Sequence, residues 1–96
     1  MFDLKTVPIT DNADDKRFEL EVEGKTVFAD YSLDGDTLRI HYVEAPPELR
    51  GSGAAGRLME GISQLAQDNH YKIVPICGYA AAWLRRHSEY HGLLHG

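Results

Sequence analysis

From Phe18 onward apolar and polar residues alternate: Phe18, Leu20 and Val22 fall on one side, and Glu19, Glu21 and Glu23 on the other. A period of two is the signature of a half-buried strand. Glu23-Gly24-Lys25 then supplies a turn, because glycine reaches the positive φ that tight hairpins need. Val27, Ala29, Tyr31 and Leu33 carry a second strand, Asp34-Gly35-Asp36 a second turn, and Leu38, Ile40 and Tyr42 one face of a third strand. Three strands on tight turns predict an antiparallel meander. Ala45-Pro46-Pro47 ends it, since proline cannot donate to a ladder.

The period then changes. Ala55, Leu58, Met59, Ile62, Leu65, Ala66 and Asn69 share one helical face, predicting a helix over about 52–69 with Ser52 as its N-cap. Lys72-Ile73-Val74-Pro75-Ile76-Cys77 is a short, mostly apolar strand suited to a parallel neighbour, and Gly78 breaks it. Ala80, Trp83, Leu84 and His87 mark a second helix. Residues 1–16 read as irregular, and the tail from Ser88 as loosely ordered with Leu93 and Leu94 able to dock. The expected fold class is α/β (α+β): an antiparallel β-meander followed by β-α-β-α, with a mixed sheet flanked by helices. Its third and fourth strands lie parallel around one crossover helix.

Length and composition narrow the choices. Ninety-six residues predict a single domain spanning 1–96, and 43% hydrophobic with 26% charged residues is a globular balance. The formal charge is −5, and no basic run exceeds Arg85-Arg86, which argues against nucleic acid as a partner. An acidic surface suits a basic acceptor, or simply solubility. No apolar run approaches the ~20 residues of a membrane span. The N-terminus lacks a basic flank and apolar stretch, and the lone Cys77 has no partner for an internal disulfide, so a cytoplasmic location is expected.

The chemistry centres on Arg50-Gly51-Ser52-Gly53-Ala54-Ala55-Gly56. Gly51 to Gly56 matches GxGxxG, the dinucleotide fingerprint, which should follow a buried strand directly and have an acid at the end of the next one. Here Pro46 to Arg50 intervene, and the next strand ends in Ile76-Cys77. The alternative is (Q/R)xxGx(G/A), read from Arg50 to Ala55, the diphosphate loop of acyl-CoA-dependent acyltransferases. Glycines remove Cβ bulk, and a helix start offers free N–H groups and partial positive charge to an anion. His87, His91 and His95 recur every four residues, but Gly92 interrupts a continuous helix, so no metal site is assigned.

Taken in order, Glu44-Ala45-Pro46-Pro47-Glu48-Leu49-Arg50-Gly51-Ser52-Gly53, Ile73-Val74-Pro75-Ile76-Cys77-Gly78-Tyr79 and Arg86-His87-Ser88-Glu89-Tyr90 resemble the GCN5-related N-acetyltransferases (GNAT), within them the very small YjdJ-like subgroup. The resemblance spans about residues 18–91 and implies a minimal GNAT-like fold that uses acetyl-CoA as substrate. It implies that the loop Arg50, Gly51, Ser52, Gly53, Ala54 and Ala55 holds the diphosphate. The strand around Tyr42, Val43, Glu44 and Ala45 would pair with the pantetheine amides where the two parallel strands splay. Arg50 adds its guanidinium or caps the Pro-Pro segment. Glu44 is a proton-accepting base or an exposed strand-end acid; Cys77 is an acyl carrier, a cleft-lining residue or a packing residue. Tyr79 is a proton donor to the leaving sulfur or a packing aromatic, and His87 closes the cleft or meets the nucleotide end. The subgroup's His-Thr-acid pattern is replaced by Tyr42-Val43-Glu44, with His41 one position away and hence on the opposite sheet face. The expected function is acetyl transfer from acetyl-CoA to an amine of a protein, peptide or small molecule; the alternative is a CoA-binding module without turnover.

Overall fold

A computed structural model describes residues 8–94. Its strands are β1 (Thr10–Asn12), β2 (Arg17–Val22), β3 (Lys25–Asp34), β4 (Thr37–Glu44) and β5 (Lys72–Pro75), and its α-helices are α1 (Ala54–Asn69) and α2 (Gly78–Arg86). Two short 3-10 helices cover Pro47–Leu49 and Ser88–Leu93. The strands form one sheet in the order β1-β2-β3-β4-β5. The β1–β4 neighbours are antiparallel, and β4 and β5 run parallel across α1. That is the mixed sheet the periodicity predicts.

Both hairpin turns form where expected. Val22 pairs with Lys25, so Glu23 and Gly24 are the loop, and both have positive φ, 50° and 77°. Such a turn matches the twist of its strands. Gly35 serves the second turn with φ 59°.

Both helices pack on one face of the sheet. Phe18, Leu20, Val27, Ala29, Leu38, Ile40 and Ile73 are buried there against Leu58, Met59, Ile62 and Ala66 of α1, and Ala80, Trp83 and Leu84 of α2. The buried stripe of α1 also includes Ala54, Gly61 and Ser63, while Asn69 turns to solvent and its amide donates to the Leu65 carbonyl.

Three expectations need correction. Residues 10–12 are not irregular: β1 adds an edge strand, pairing Thr10, Asp11 and Asn12 with Glu19, Phe18 and Arg17. An edge strand has one hydrogen-bonded neighbour and tolerates polar residues, so DNADD concealed it. Asn12 closes the following turn by accepting from the Asp15 N–H at 3.3 Å, and Tyr31 donates to Asp11 at 2.6 Å. The tail is also ordered through Leu94: Tyr90 and Leu93 are buried, Leu94 bridges Ile73, and Lys72 Nζ donates to the Gly92 carbonyl at 2.6 Å. Residues 1–7 and 95–96, including His95, lie outside the described residues.

The third correction concerns β4. Asp30 pairs with Tyr42 but Tyr31 pairs with Ile40, so His41 is an extra residue, a β-bulge. Leu38 and Ile40 point into the core, yet after the bulge it is Val43 and Ala45 that pack against it. Tyr42 therefore leaves the Leu38–Ile40 face and is 48% exposed. His41 bonds the Ser32 hydroxyl at 2.8 Å, and Tyr42 lies near Phe28, both on the outer face. His41 and Tyr42 thus share a face, contrary to simple alternation.

Candidate functional site

The parallel pairing of β4 and β5 stops early. Its last register pair is Ile40 with Pro75. The N–H groups of Ile76 and Cys77 then both donate to the Ile40 carbonyl, at 3.0 and 3.1 Å, as the chain turns into α2. β4 continues to Glu44 without β5 beside it. The bulge lies at the same point, so the strand diverges from its neighbour where its inward face changes register.

On the helical side of this divergence lies a cavity of about 430 Å³, lined by Val43, Ala45, Leu49, Arg50, Gly51, Gly53, Ala55, Gly56 and Tyr79. The wall is largely aliphatic. Its polar end is the start of α1. Gly51 and Gly53 adopt φ of 81° and 90°, a left-handed backbone that glycine enters without strain. Gly53, not Ser52, is the N-cap. Ser52 shapes the bend from within: its hydroxyl donates to the Leu49 carbonyl at 2.5 Å and accepts from the Ala54 N–H at 3.2 Å. Among the described residues the N–H groups of Gly51, Gly53, Ala55 and Gly56 have no acceptor. Unpaired N–H groups at a helix start suit an anion.

Arg50 flanks the cradle and donates through Nε to the Ala45 carbonyl at 3.3 Å, bridging the Pro46-Pro47 segment. Arg50 thus ties down that loop while also lining the cavity. Tyr79 lines the same space with its hydroxyl beside Gly56; it is 39% exposed, and its phenol is pushed up from its ordinary value chiefly by burial, with Arg86 pulling it back. A neutral phenol is a hydrogen-bond donor at neutral pH.

The structure gathers Val43, Ala45, Arg50, Gly51, Gly53, Ala55 and Tyr79 around one space. Tyr42, Glu44, Ser52, Ala54, Cys77 and His87 do not line it. Tyr42 and Glu44 face the other side of the sheet, where the Tyr42 hydroxyl donates to Glu44 Oε1 at 2.7 Å; that bond is the main reason the Tyr42 phenol is raised. Cys77, half-buried at the start of α2, packs against the core and donates its N–H to the Ile40 carbonyl. Ala54 is buried beneath the cradle. His87 is at the far end of α2, stacked on Trp83 at 3.7 Å with Nδ1 2.7 Å from the Trp83 carbonyl, where it caps the helix. Leu49 and Gly56 line the cavity although the acyl-CoA loop reading, which runs from Arg50 to Ala55, left them outside it. Leu49 carried a signal, an apolar residue inside a polar, proline-rich loop. Among the described residues there is no cluster of three or more His, Cys, Asp or Glu arranged for a metal, and no helix long and apolar enough to cross a membrane.

A sequence profile described as GCN5-related N-acetyl-transferase matches residues 17–93. The chain belongs to this family. No curated protein matches it in sequence. The NMR solution structure of a GCN5-like protein from Staphylococcus aureus superposes with a TM-score of 0.73 at 22% identity, covering 94% of this chain and 89% of that one. At that identity the likeness concerns the fold, and it extends over nearly the whole length. The splayed β4–β5 pair and the glycine cradle thus belong to a GNAT-family acetyltransferase domain.

Proposed function

We propose that this GNAT domain binds acetyl-CoA in the cavity between β4 and the starts of α1 and α2, and transfers the acetyl group to an amine of a protein, peptide or small molecule. The observation that carries this reading is the set of unpaired N–H groups of Gly51, Gly53, Ala55 and Gly56, on residues that line the same space as Tyr79. The diphosphate sits on the N–H groups, and the aliphatic wall of Val43, Ala45 and Leu49 accepts the arm. The thioester then arrives near Tyr79 and Cys77. The open edge of β4 beyond Ile40 offers main-chain groups to the pantetheine amides, in the manner of an added strand.

In direct transfer the amine nitrogen attacks the thioester carbonyl, Glu44 takes the proton that nitrogen sheds, and the carbon–sulfur bond breaks. Tyr79 protonates the departing thiolate. Transfer through Cys77 replaces this with two steps: the Cys77 thiolate displaces CoA, and the amine then attacks the acyl-cysteine. Glu44 and Cys77 stand off the cavity wall, which favours one alternative, a CoA-binding module without turnover.

Binding and turnover separate experimentally. CoA and acetyl-CoA at 100-fold over Kd stabilise the folded state by about 2.7 kcal/mol, and no rise in melting temperature at millimolar ligand refutes the binding claim. With a panel of amines and lysine peptides, CoA release above background identifies an enzyme. Intact-mass spectrometry after mixing with acetyl-CoA then reads the route: an acetyl adduct absent from Cys77→Ala marks the two-step path, and full activity of Cys77→Ala excludes it.

A further inference from the structure

Gly56 is the third residue of α1, and helix interiors disfavour glycine relative to alanine. The usual structural reasons for a glycine do not apply. Its φ is not in the left-handed region, unlike Gly24, Gly35, Gly51 and Gly53. Nor is it crowded: a Cβ there would meet only Trp83 Nε1 at 3.5 Å and the Tyr79 hydroxyl at 4.0 Å, both ordinary contacts. Gly61 on the same helix is the contrast, because a Cβ there would lie 2.8 Å from Ile9 Cγ2 and 3.1 Å from Arg57 Nη1. Packing crowds the Cβ position at 61. It does not at 56.

What Gly56 does is line the cavity, opposite Tyr79. A methyl group there would fill space between the Tyr79 hydroxyl and the Trp83 indole nitrogen while leaving the backbone N–H untouched. We propose that Gly56 is a specificity-determining residue: its missing side chain keeps the cavity wide enough at the Tyr79 hydroxyl for the flexible, amide-bearing arm of an acyl carrier, at the expense of helix stability. This rests on the acyl-CoA reading above. The aliphatic wall of Val43, Ala45, Leu49 and Ala55, beside the anion cradle, suits an occupant with a charged head and a slender, mostly apolar chain. Gly56 gives its N–H to the cradle and its empty Cβ position to the space beside the Tyr79 hydroxyl.

The test measures fold stability and affinity on Gly56→Ala and Gly56→Leu beside the wild type. Gly56→Ala is expected to melt about 4–8 °C higher, from helix propensity alone. Its Kd for CoA, by isothermal titration, is expected to rise about tenfold, and Gly56→Leu to lose measurable binding. A purely structural role would move stability and affinity in the same direction. Wild type that binds CoA while Gly56→Ala binds it equally well overturns the assignment of Gly56 and spares the acyl-CoA reading. A Gly56→Ala variant that melts lower than wild type shows that packing does require glycine, and also overturns it. Wild type that fails to bind CoA overturns both.

Discussion

Ser63 is fully buried on the sheet-facing stripe of α1, and its hydroxyl has no hydrogen-bond partner among the described residues. A buried hydroxyl left unpaired costs about 1–3 kcal/mol of desolvation. Ser63→Ala removes that cost and adds about 0.5 kcal/mol of helix propensity. Against this stands a void the size of one oxygen atom, about 0.4 kcal/mol at about 24 cal/mol per Å³. The net expectation is a stabilisation of about 1–3 kcal/mol, which for a domain of this size raises Tm by at least about 4 °C. Urea unfolding followed by circular dichroism reads it directly: the midpoint should move up while the slope stays constant, because the surface exposed on unfolding is unchanged. A midpoint that stays put or falls refutes the reasoning. It would mean that the hydroxyl is satisfied, most simply by bonding back to the Met59 carbonyl one turn earlier.

Two further outcomes follow from the geometry. The Tyr31 phenol, pushed up to about 12 first by burial and then by its bond to Asp11, is above its unfolded value near 10, so its contribution to stability is intact below pH 10 and is lost as pH rises toward 12. Ultraviolet difference titration of wild type against Tyr31→Phe should show one phenol ionising near pH 12, and a missing phenol that titrates near 10 contradicts the reasoning from burial and the Asp11 bond. Gly53→Ala forces a Cβ into φ 90° and should cost about 1–2 kcal/mol in urea unfolding as well as weaken CoA binding; an unchanged midpoint would show that the bend relaxes to negative φ.

Much of the architecture was legible because it is periodic. Phe18, Leu20 and Val22 alternate without interruption and lie buried as expected, and Leu58, Met59, Ile62 and Ala66 mark the helix that covers them. The parallel β4–β5 pair followed from the single helix between them. The cradle was legible because Gly51 and Gly53 are there for conformational reasons that a sequence displays. What escaped was non-periodic or non-local. The bulge at His41 leaves no mark in composition, because an exposed histidine suits either face of a strand, so the expected Leu38-Ile40-Tyr42 face broke at its last member. β1 escaped because a strand of three polar residues gains its hydrogen bonds from a neighbour rather than from a pattern. The order of the tail escaped because the buried Tyr90 and Leu93 are recruited by a core built from distant segments. Gly56 was invisible as a wall residue until Tyr79 and Trp83 of another helix were set against it.

The extra residue at position 41 sets the phase of β4. Ironed into plain alternation with every residue kept, the strand would turn Tyr42 and Glu44 inward and Val43 and Ala45 toward solvent, exchanging a greasy wall for an acidic one. Losing the codon for His41 does the opposite: it removes the kink and leaves Val43 inward, so the lining outlasts the deletion that looks most disruptive.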